Sequence, residues 1–242
     1  MNKEFDYIVI GAGIAGCCLA YFLSKYSKSI LLIDRNSQVA FGASGAAGAF
    51  LSPLLGKPND FKDLVTKSLI FSTNFYKNLG EELVSNCGVC RIPKNEEDRD
   101  KFESYKPYMD FKYTQMDDGY FFEIGSQVTP SLICEKLTKD IEKKLSYNVI
   151  KLEQNENFTW IINDEICAKN IILTTGADVK HIKEEYFDIR GVWGQKIDVS
   201  TTTETKINYH KECSVSKASK IDLDDEIDIL CCIRKSKSST FF

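Results

Sequence analysis

Two kinds of hydrophobic spacing alternate along this chain. Continuous apolar runs, Tyr7-Ile8-Val9-Ile10 and Ile30-Leu31-Leu32-Ile33, read as strands buried on both faces, the first over residues 6–10 and the second closing on Asp34. Residues 14–26 between them read as a helix. Apolar positions at 61, 64, 65, 69, 75, 76 and 79 mark one face of a second helix over 61–79, with Gly80 as its stop. Residues 88–93 and 120–124 read as short strands, and 95–106 as a charged, solvated stretch between them. Thr129 as N-cap and Pro130 at the first helical position predict a helix running to about residue 145. Residues 148–153, 158–163 and 165–168 follow as an antiparallel meander with turns at 155–157 and 163–164. Residues 171–177 then form an apolar strand ending in small residues and glycine, the pattern of a parallel strand meeting a ligand crevice.

The first strand delivers the chain to Gly11-Ala12-Gly13-Ile14-Ala15-Gly16, and that sequence changes the picture from fold to chemistry. A GxGxxG after a strand and opening a helix is a dinucleotide-binding turn. Gly11 permits the turn, Gly13 lets the backbone approach a pyrophosphate, and Gly16 lets helix and strand pack closely. Unpaired amides at the helix start, from Gly13, Ile14, Ala15 and Gly16, together with the helix dipole favour an anion there without a basic side chain. Asp34 ends the second strand where a carboxylate accepts hydrogen bonds from ribose hydroxyls. Residues 40–53 form a second candidate ligand contact. This stretch is apolar yet nearly free of bulk, so Ala43, Ser44, Gly45, Ala46 and Gly48 can bring backbone against a flat ligand.

Composition adds bounds. The 242 residues are 43% hydrophobic and 27% charged, enough for a sizeable core. A formal net charge of −4 gives no support to a polyanion-binding surface. The first strand begins within about five residues of Met1, and no apolar run approaches the roughly 20 residues that span a bilayer, so no membrane association and a cytoplasmic location are expected. The nine cysteines are scattered and read as reduced thiols. Cys87-Gly88-Val89-Cys90 lacks the second pair or spaced histidines of a zinc site, and Cys17 and Cys18 read as helix packing. No metal, serine triad or paired-carboxylate site is expected, and no catalytic residue is assigned. Oligomeric state is left open.

The glycine turn, Asp34-Arg35 and the small-residue stretch resemble the D-amino-acid oxidase family of FAD-dependent oxidoreductases. Ala43-Ser44-Gly45 and Pro53-Leu54-Leu55 are most similar to the oxidase half of the bacterial tRNA wobble-uridine modification enzymes. The resemblance implies an α/β fold: a Rossmann-like FAD-binding lobe (1–80 and 126–180) with an inserted antiparallel α+β substrate lobe (81–125 and 181–230, incomplete), then an atypical tail over 231–242. It implies FAD as cofactor and oxidation of an amine or amino acid C–N bond by hydride transfer to the flavin, the substrate being a small amine or a tRNA-linked aminomethyl group. Arg35, Val149, Thr175 and Gly176 join the expected cofactor contacts, Val149 either against adenine or as a plain strand residue. If Gly194-Gln195 matches the family's Arg-Gly-Gln strand, Trp193 stands where arginine is usual, as packing or as an aromatic wall. The family's last segment has no counterpart here, which leaves a truncated, inactive remnant as one alternative; an NAD-dependent dehydrogenase is another, since the first glycine motif alone does not distinguish NAD from FAD.

Overall fold

The computed structural model describes residues 4–116, 118–178, 189, 191–192, 194–201, 203–220 and 227–234, the last eight and residues 219–220 by backbone alone. The chain forms two compact units, residues 1–46 with 130–191 and residues 47–129 with 192–242. The sequence reading took the first lobe through residue 80. The helix over 60–79 instead packs on the segment immediately after it and joins the second unit.

In chain order the elements are β1 (Glu4–Ile10), α1 (Ile14–Leu23), β2 (Ile30–Ile33), α2 (Ala43–Ala46), β3 (Phe50–Leu51), α3 (Asp60–Leu79), β4 (Val84–Ser85) and β5 (Val89–Arg91). Next come α4 (Glu96–Tyr105), β6 (Thr114–Met116), β7 (Gly119–Phe122), β8 (Ser126–Val128), α5 (Pro130–Leu137), β9 (Glu142–Lys144), β10 (Leu152–Gln154), β11 (Trp160–Ile162) and β12 (Ile166–Leu173). The last are β13 (Gly194–Thr201), β14 (Asn208–His210), β15 (Cys213–Val215), β16 (Ser219–Lys220) and β17 (Ile227–Arg234).

The first unit is one six-stranded sheet in the order β10-β11-β12-β1-β2-β9. β12, β1, β2 and β9 run parallel, and β11 and β10 continue antiparallel from β12. Because successive side chains point to opposite faces, Ile8, Ile10, Leu31 and Ile33 fill one face together with Val149, Ile162, Ile166 and Ala168. Val9 and Leu32, both fully buried, point to the other face, and α1 packs on these two strands and on α5. Burial on both faces explains why β1 and β2 read as unbroken apolar runs.

Three predicted elements change. The helix from Pro130 ends at Leu137 rather than near 145, because Thr138 turns its hydroxyl back onto the Cys134 carbonyl and Ile141 bonds to the Thr138 carbonyl. Residues 142–144 then pair with Leu31–Ile33, supplying partners to an edge of β2 that a longer helix would have left open. The meander's third strand and the apolar strand after it are a single strand, β12. Ala168 faces Phe5 of β1 in parallel and Trp160 of β11 antiparallel. Finally, part of the expected tail is strand: Cys231 and Cys232 lie in β17, paired with Ile197 and Lys196 of β13 on one side and with Val215 and Ser214 of β15 on the other. Residues 235–242, Arg190 and Trp193 lie outside the described residues.

The second unit holds an eight-stranded sheet in the order β13-β17-β15-β14-β5-β7-β6, with β16 beside β17, and a small sheet β3-β8-β4. The charged stretch after residue 95 is helical. Asn95 caps α4 by accepting from the Asp98 amide at 2.9 Å, three acids occupy its first turn, and Phe102 points into a core with Val89, Tyr120 and Phe122.

Candidate functional site: the glycine turn

The turn after β1 is held by backbone at close quarters. The Gly11 amide donates to the Ile33 carbonyl (2.8 Å) and the Thr174 amide to the Ile10 carbonyl (2.8 Å), so the ends of β2 and β12 grip β1 where it turns. Gly11 has φ +110°, and a Cβ there would lie 2.4 Å from the Thr174 carbonyl oxygen. A Cβ on Gly16 would lie 1.9 Å from the Gly11 carbonyl oxygen and 2.7 Å from the Thr174 hydroxyl. Backbone cannot yield as a flexible side-chain tip can, so both positions demand glycine. Gly13 differs. Its Cβ would meet only the Ser44 hydroxyl, at 3.1 Å, and it precedes α1 with no side-chain cap.

Ser44 is the group set at that helix start, its Oγ accepting from the Ile14 amide at 3.0 Å. The segment leading to it is pinned to the turn, since the Ala40 amide donates to the Ala12 carbonyl at 2.8 Å and Ala40 adopts φ 56°. A Cβ at Gly45 would fall 2.2 Å from the Ala40 carbonyl, so this glycine serves the turn of α2. Ala15, Ala43 and Ala46 are exposed. Gly48 belongs to the second unit, buried, its carbonyl accepting from the Gln127 amide group at 3.1 Å.

The Asp34 carboxylate holds its own loop as well as the turn. One oxygen accepts from the Ala12 amide at 2.6 Å, and the other from the Asn36 amide (2.8 Å) and side chain (2.9 Å). Three of about four acceptor sites are therefore used. Arg35 forms an ion pair at 2.8 Å with Asp178, beyond the end of β12. The residues between are closed into a turn, with the Thr175 hydroxyl donating to the Asp178 carbonyl and Gly176 at φ +64°. The Val149 side chain is buried in the sheet core.

Sequence reasoning missed Thr174, Asn36 and Asp178. Thr174 is the neighbour of a predicted contact, yet its hydroxyl, donating to the Gly11 carbonyl at 2.8 Å, locks the turn. The hydroxyl one residue before Thr175-Gly176, at the strand's end, was the available signal. Behind the turn, the buried Cys17 thiol donates to the Ala12 carbonyl at 3.4 Å. Hydrogen bonding with Cys134, then burial, pushes Cys17 well above the ordinary thiol range, so it stays protonated and inert. Among the described residues no cluster of three or more metal-ligating side chains occurs, and no helix is long and apolar enough to cross a membrane.

Amides at a helix start, a hydroxyl beside them and a carboxylate at the end of the neighbouring strand suit a nucleotide diphosphate and its ribose. The sequence model of the family described as DAO, FAD dependent oxidoreductase, matches residues 6–222, and the chain belongs to that family. This membership settles FAD over NAD as the family's cofactor. Among curated relatives, the chain is 26% identical over 254 residues to a tRNA 5-methylaminomethyl-2-thiouridine biosynthesis bifunctional protein of a Marinomonas species, with 93% of this chain and 36% of the relative covered. The protein of that description from Campylobacter fetus is 23% identical over 159 residues, 64% of this chain and 26% of the relative. The chain thus spans about a quarter to a little over a third of the length of such relatives. Among solved structures, glycine oxidase from Geobacillus kaustophilus superposes with a TM-score of 0.73 at 12% identity, covering 98% of this chain and 74% of that one. L-alpha-glycerophosphate oxidase from Mycoplasma pneumoniae with FAD bound gives 0.73 at 17% identity, covering 97% and 73%. These likenesses establish the Rossmann-like fold.

Proposed function

We propose that the chain holds FAD on its first unit and serves oxidation of the C–N bond of an amine or amino acid. The supporting observation is the division among three glycines: Gly11 and Gly16 are sealed by backbone, whereas Gly13 leaves open backbone at the start of α1. FAD, when bound, supplies the hydride acceptor. The amides of Gly13, Ala15 and Gly16 then face its diphosphate, while that of Ile14 at the same helix start is held by Ser44. Ser44, already accepting from Ile14, has its own proton free to donate to a phosphate oxygen. The acceptor site left on Asp34 takes a ribose hydroxyl. Arg35, the main chain of Val149, and Thr175 and Gly176 at the end of β12 border the same edge, and Ala43, Gly45, Ala46 and Gly48 keep the segment after Ala40 thin. The chain's part in the chemistry is to bind, orient and exclude water, so no side chain is assigned as acid or base.

The substrate is a small amine or a tRNA-linked aminomethyl group, the latter favoured by the tRNA-biosynthesis proteins among the relatives. The test is the absorbance spectrum of the purified chain with identification of the extracted cofactor, followed by turnover of glycine, sarcosine and aminomethyl-modified tRNA. Flavin bands with stoichiometric FAD are expected. A colourless protein that takes up no added FAD would sink the proposal.

A further inference from the structure

Arg35 follows β2 and Asp178 follows β12, and in the sheet β1 lies between those two strands. Their 2.8 Å ion pair therefore crosses the C-terminal end of β1, where the glycine turn and the start of α1 are. A dinucleotide's diphosphate belongs at the same place. The guanidinium is a fork suited equally to carboxylate and to phosphate. Among the described residues Asp178 has little else to hold it: its second carboxylate oxygen is buried and has no hydrogen-bond partner among them. Asp34, by contrast, is engaged on both oxygens by Ala12 and Asn36 and does not take Arg35.

We propose that Asp178 sets the nucleotide affinity of this site by competing with the ligand's diphosphate for the Arg35 guanidinium. The inference rests on the reading of the first unit as a dinucleotide site. Binding exchanges one ion pair for another, and the freed Asp178 carboxylate stands beside a dianion until water or a ligand hydroxyl satisfies it. Asp178 is thus a positioning residue that acts through Arg35 and weakens binding in its present form. Three consequences separate this from a structural role. Removing the Asp178 charge tightens ligands that carry a diphosphate. It leaves adenosine, which has none, unchanged. The gain disappears when Arg35 is absent.

The experiment measures binding of ADP, FAD and adenosine to the full chain freed of flavin, by titration calorimetry, for the unaltered protein and for Asp178→Asn, Asp178→Glu, Arg35→Gln and the double variant Arg35→Gln/Asp178→Asn. Asp178→Asn is expected to tighten ADP and FAD about threefold to fivefold, the range that releasing an exposed ion pair permits, with adenosine unmoved. Asp178→Glu should bind as the unaltered protein does. Arg35→Gln should weaken ADP, and adding Asp178→Asn to it should give no gain attributable to a freed guanidinium. In the unaltered protein, the Arg35 side-chain signal in nitrogen-edited NMR should move on adding ADP and stay still with adenosine, a readout that needs no variant to fold. If Asp178→Asn leaves ADP unchanged, or weakens ADP and adenosine alike while the Arg35 signal stays still, the competition is overturned and the dinucleotide reading stands. If the unaltered chain binds neither ADP nor FAD, both fall.

Discussion

The glycine turn of the first unit and the buried charged side chains of the second unit solve one problem, the burial of polar groups, by opposite means. At the turn most of the work is done by backbone: the Gly11 and Thr174 amides donate to the Ile33 and Ile10 carbonyls, the Ala12 amide donates to the Asp34 carboxylate, the Gly11 carbonyl accepts from the Thr174 hydroxyl, and a Cβ at Gly11 or Gly16 is excluded by contacts as short as 1.9 Å. In the second unit the work is done by charged side chains. Lys62, almost wholly buried, reaches Asp110 at 2.6 Å and the Tyr108 carbonyl at 2.6 Å. Arg91 spends one nitrogen on the Ser52 hydroxyl (3.1 Å) and the Pro53 carbonyl (2.9 Å) and leaves its Nε buried without a partner. His210 shares a proton with Ser214 across 2.6 Å, while burial, then the Arg91 and Lys94 charges, push its pKa down to about 4. The backbone pairs leave no room for a side chain at Gly11 or Gly16 and do not themselves titrate. Side-chain solutions tolerate substitution and titrate.

The widest separation between the regions should come from Gly16→Ala. Its methyl group meets the Gly11 carbonyl, so urea unfolding should show a loss of about 3 kcal/mol or more, at the upper end of overpacking costs. A loss below about 1 kcal/mol would mean the turn has slack. Next is Asp110→Asn, which strands the buried Lys62 ammonium. A partly exposed partner limits the cost to about 2 kcal/mol, less than for a fully buried pair. Lys62→Met should cost less than Asp110→Asn, because it removes the buried charge instead of orphaning it. The reverse order would show that the pair matters through Asp110.

His210 gives the titration test. Its folded-state pKa lies below the ordinary 6.5, so the unfolded chain binds the extra proton first as pH falls. Stability from this group is complete above about 6.5, is lost between 6.5 and about 4, and changes no further below that. Replacing His210 by Asn should flatten the stability profile in that window, read by denaturation at fixed pH, and an unchanged slope would exclude His210 as its source. Asp110 works in the same direction in a lower pH window: burial opposes its ionisation, but hydrogen bonds from Lys62 and Thr66 hold its pKa below the usual carboxylate value, so its contribution is complete above that value and is lost only as pH falls further. The smallest stability effect belongs to Gly13→Ala, under about 0.5 kcal/mol because little besides the Ser44 hydroxyl is near. Its effect on FAD binding should nonetheless be severe, and retained binding would show that the open backbone at Gly13 is not a ligand contact.

The same contrast explains what could be read from the residues. The glycine turn was readable because backbone packing dictates residue type directly: where a carbonyl stands 2.4 or 1.9 Å from a would-be Cβ, only glycine survives, and the motif records that. β1 and β2 were readable for a related reason, burial on both faces. Thr174, Asn36 and Asp178 were missed because a hydrogen bond closed across a sheet leaves no periodic trace. The helix predicted to 145 failed because the deciding influence, the open edge of β2, lies more than a hundred residues earlier in the sequence. Only the end of β17, residues 231–234, reads as tail, because the lysines and serines after it dominate the composition, although isoleucines at 227, 229 and 233 fall on alternate positions of one strand.

β12 carries the parallel core and the antiparallel meander in one strand, and its last contact ties Thr174 to Gly11 across 163 residues. During synthesis β1 emerges at the start and must wait until residues 166–173 are made before β12 pairs with its open edge. The second unit's residues 47–129 are synthesised in that interval. A chain of this order leaves that edge of β1 unpaired until β12 is made, and refolding from denaturant should be slowed by this long-range closure.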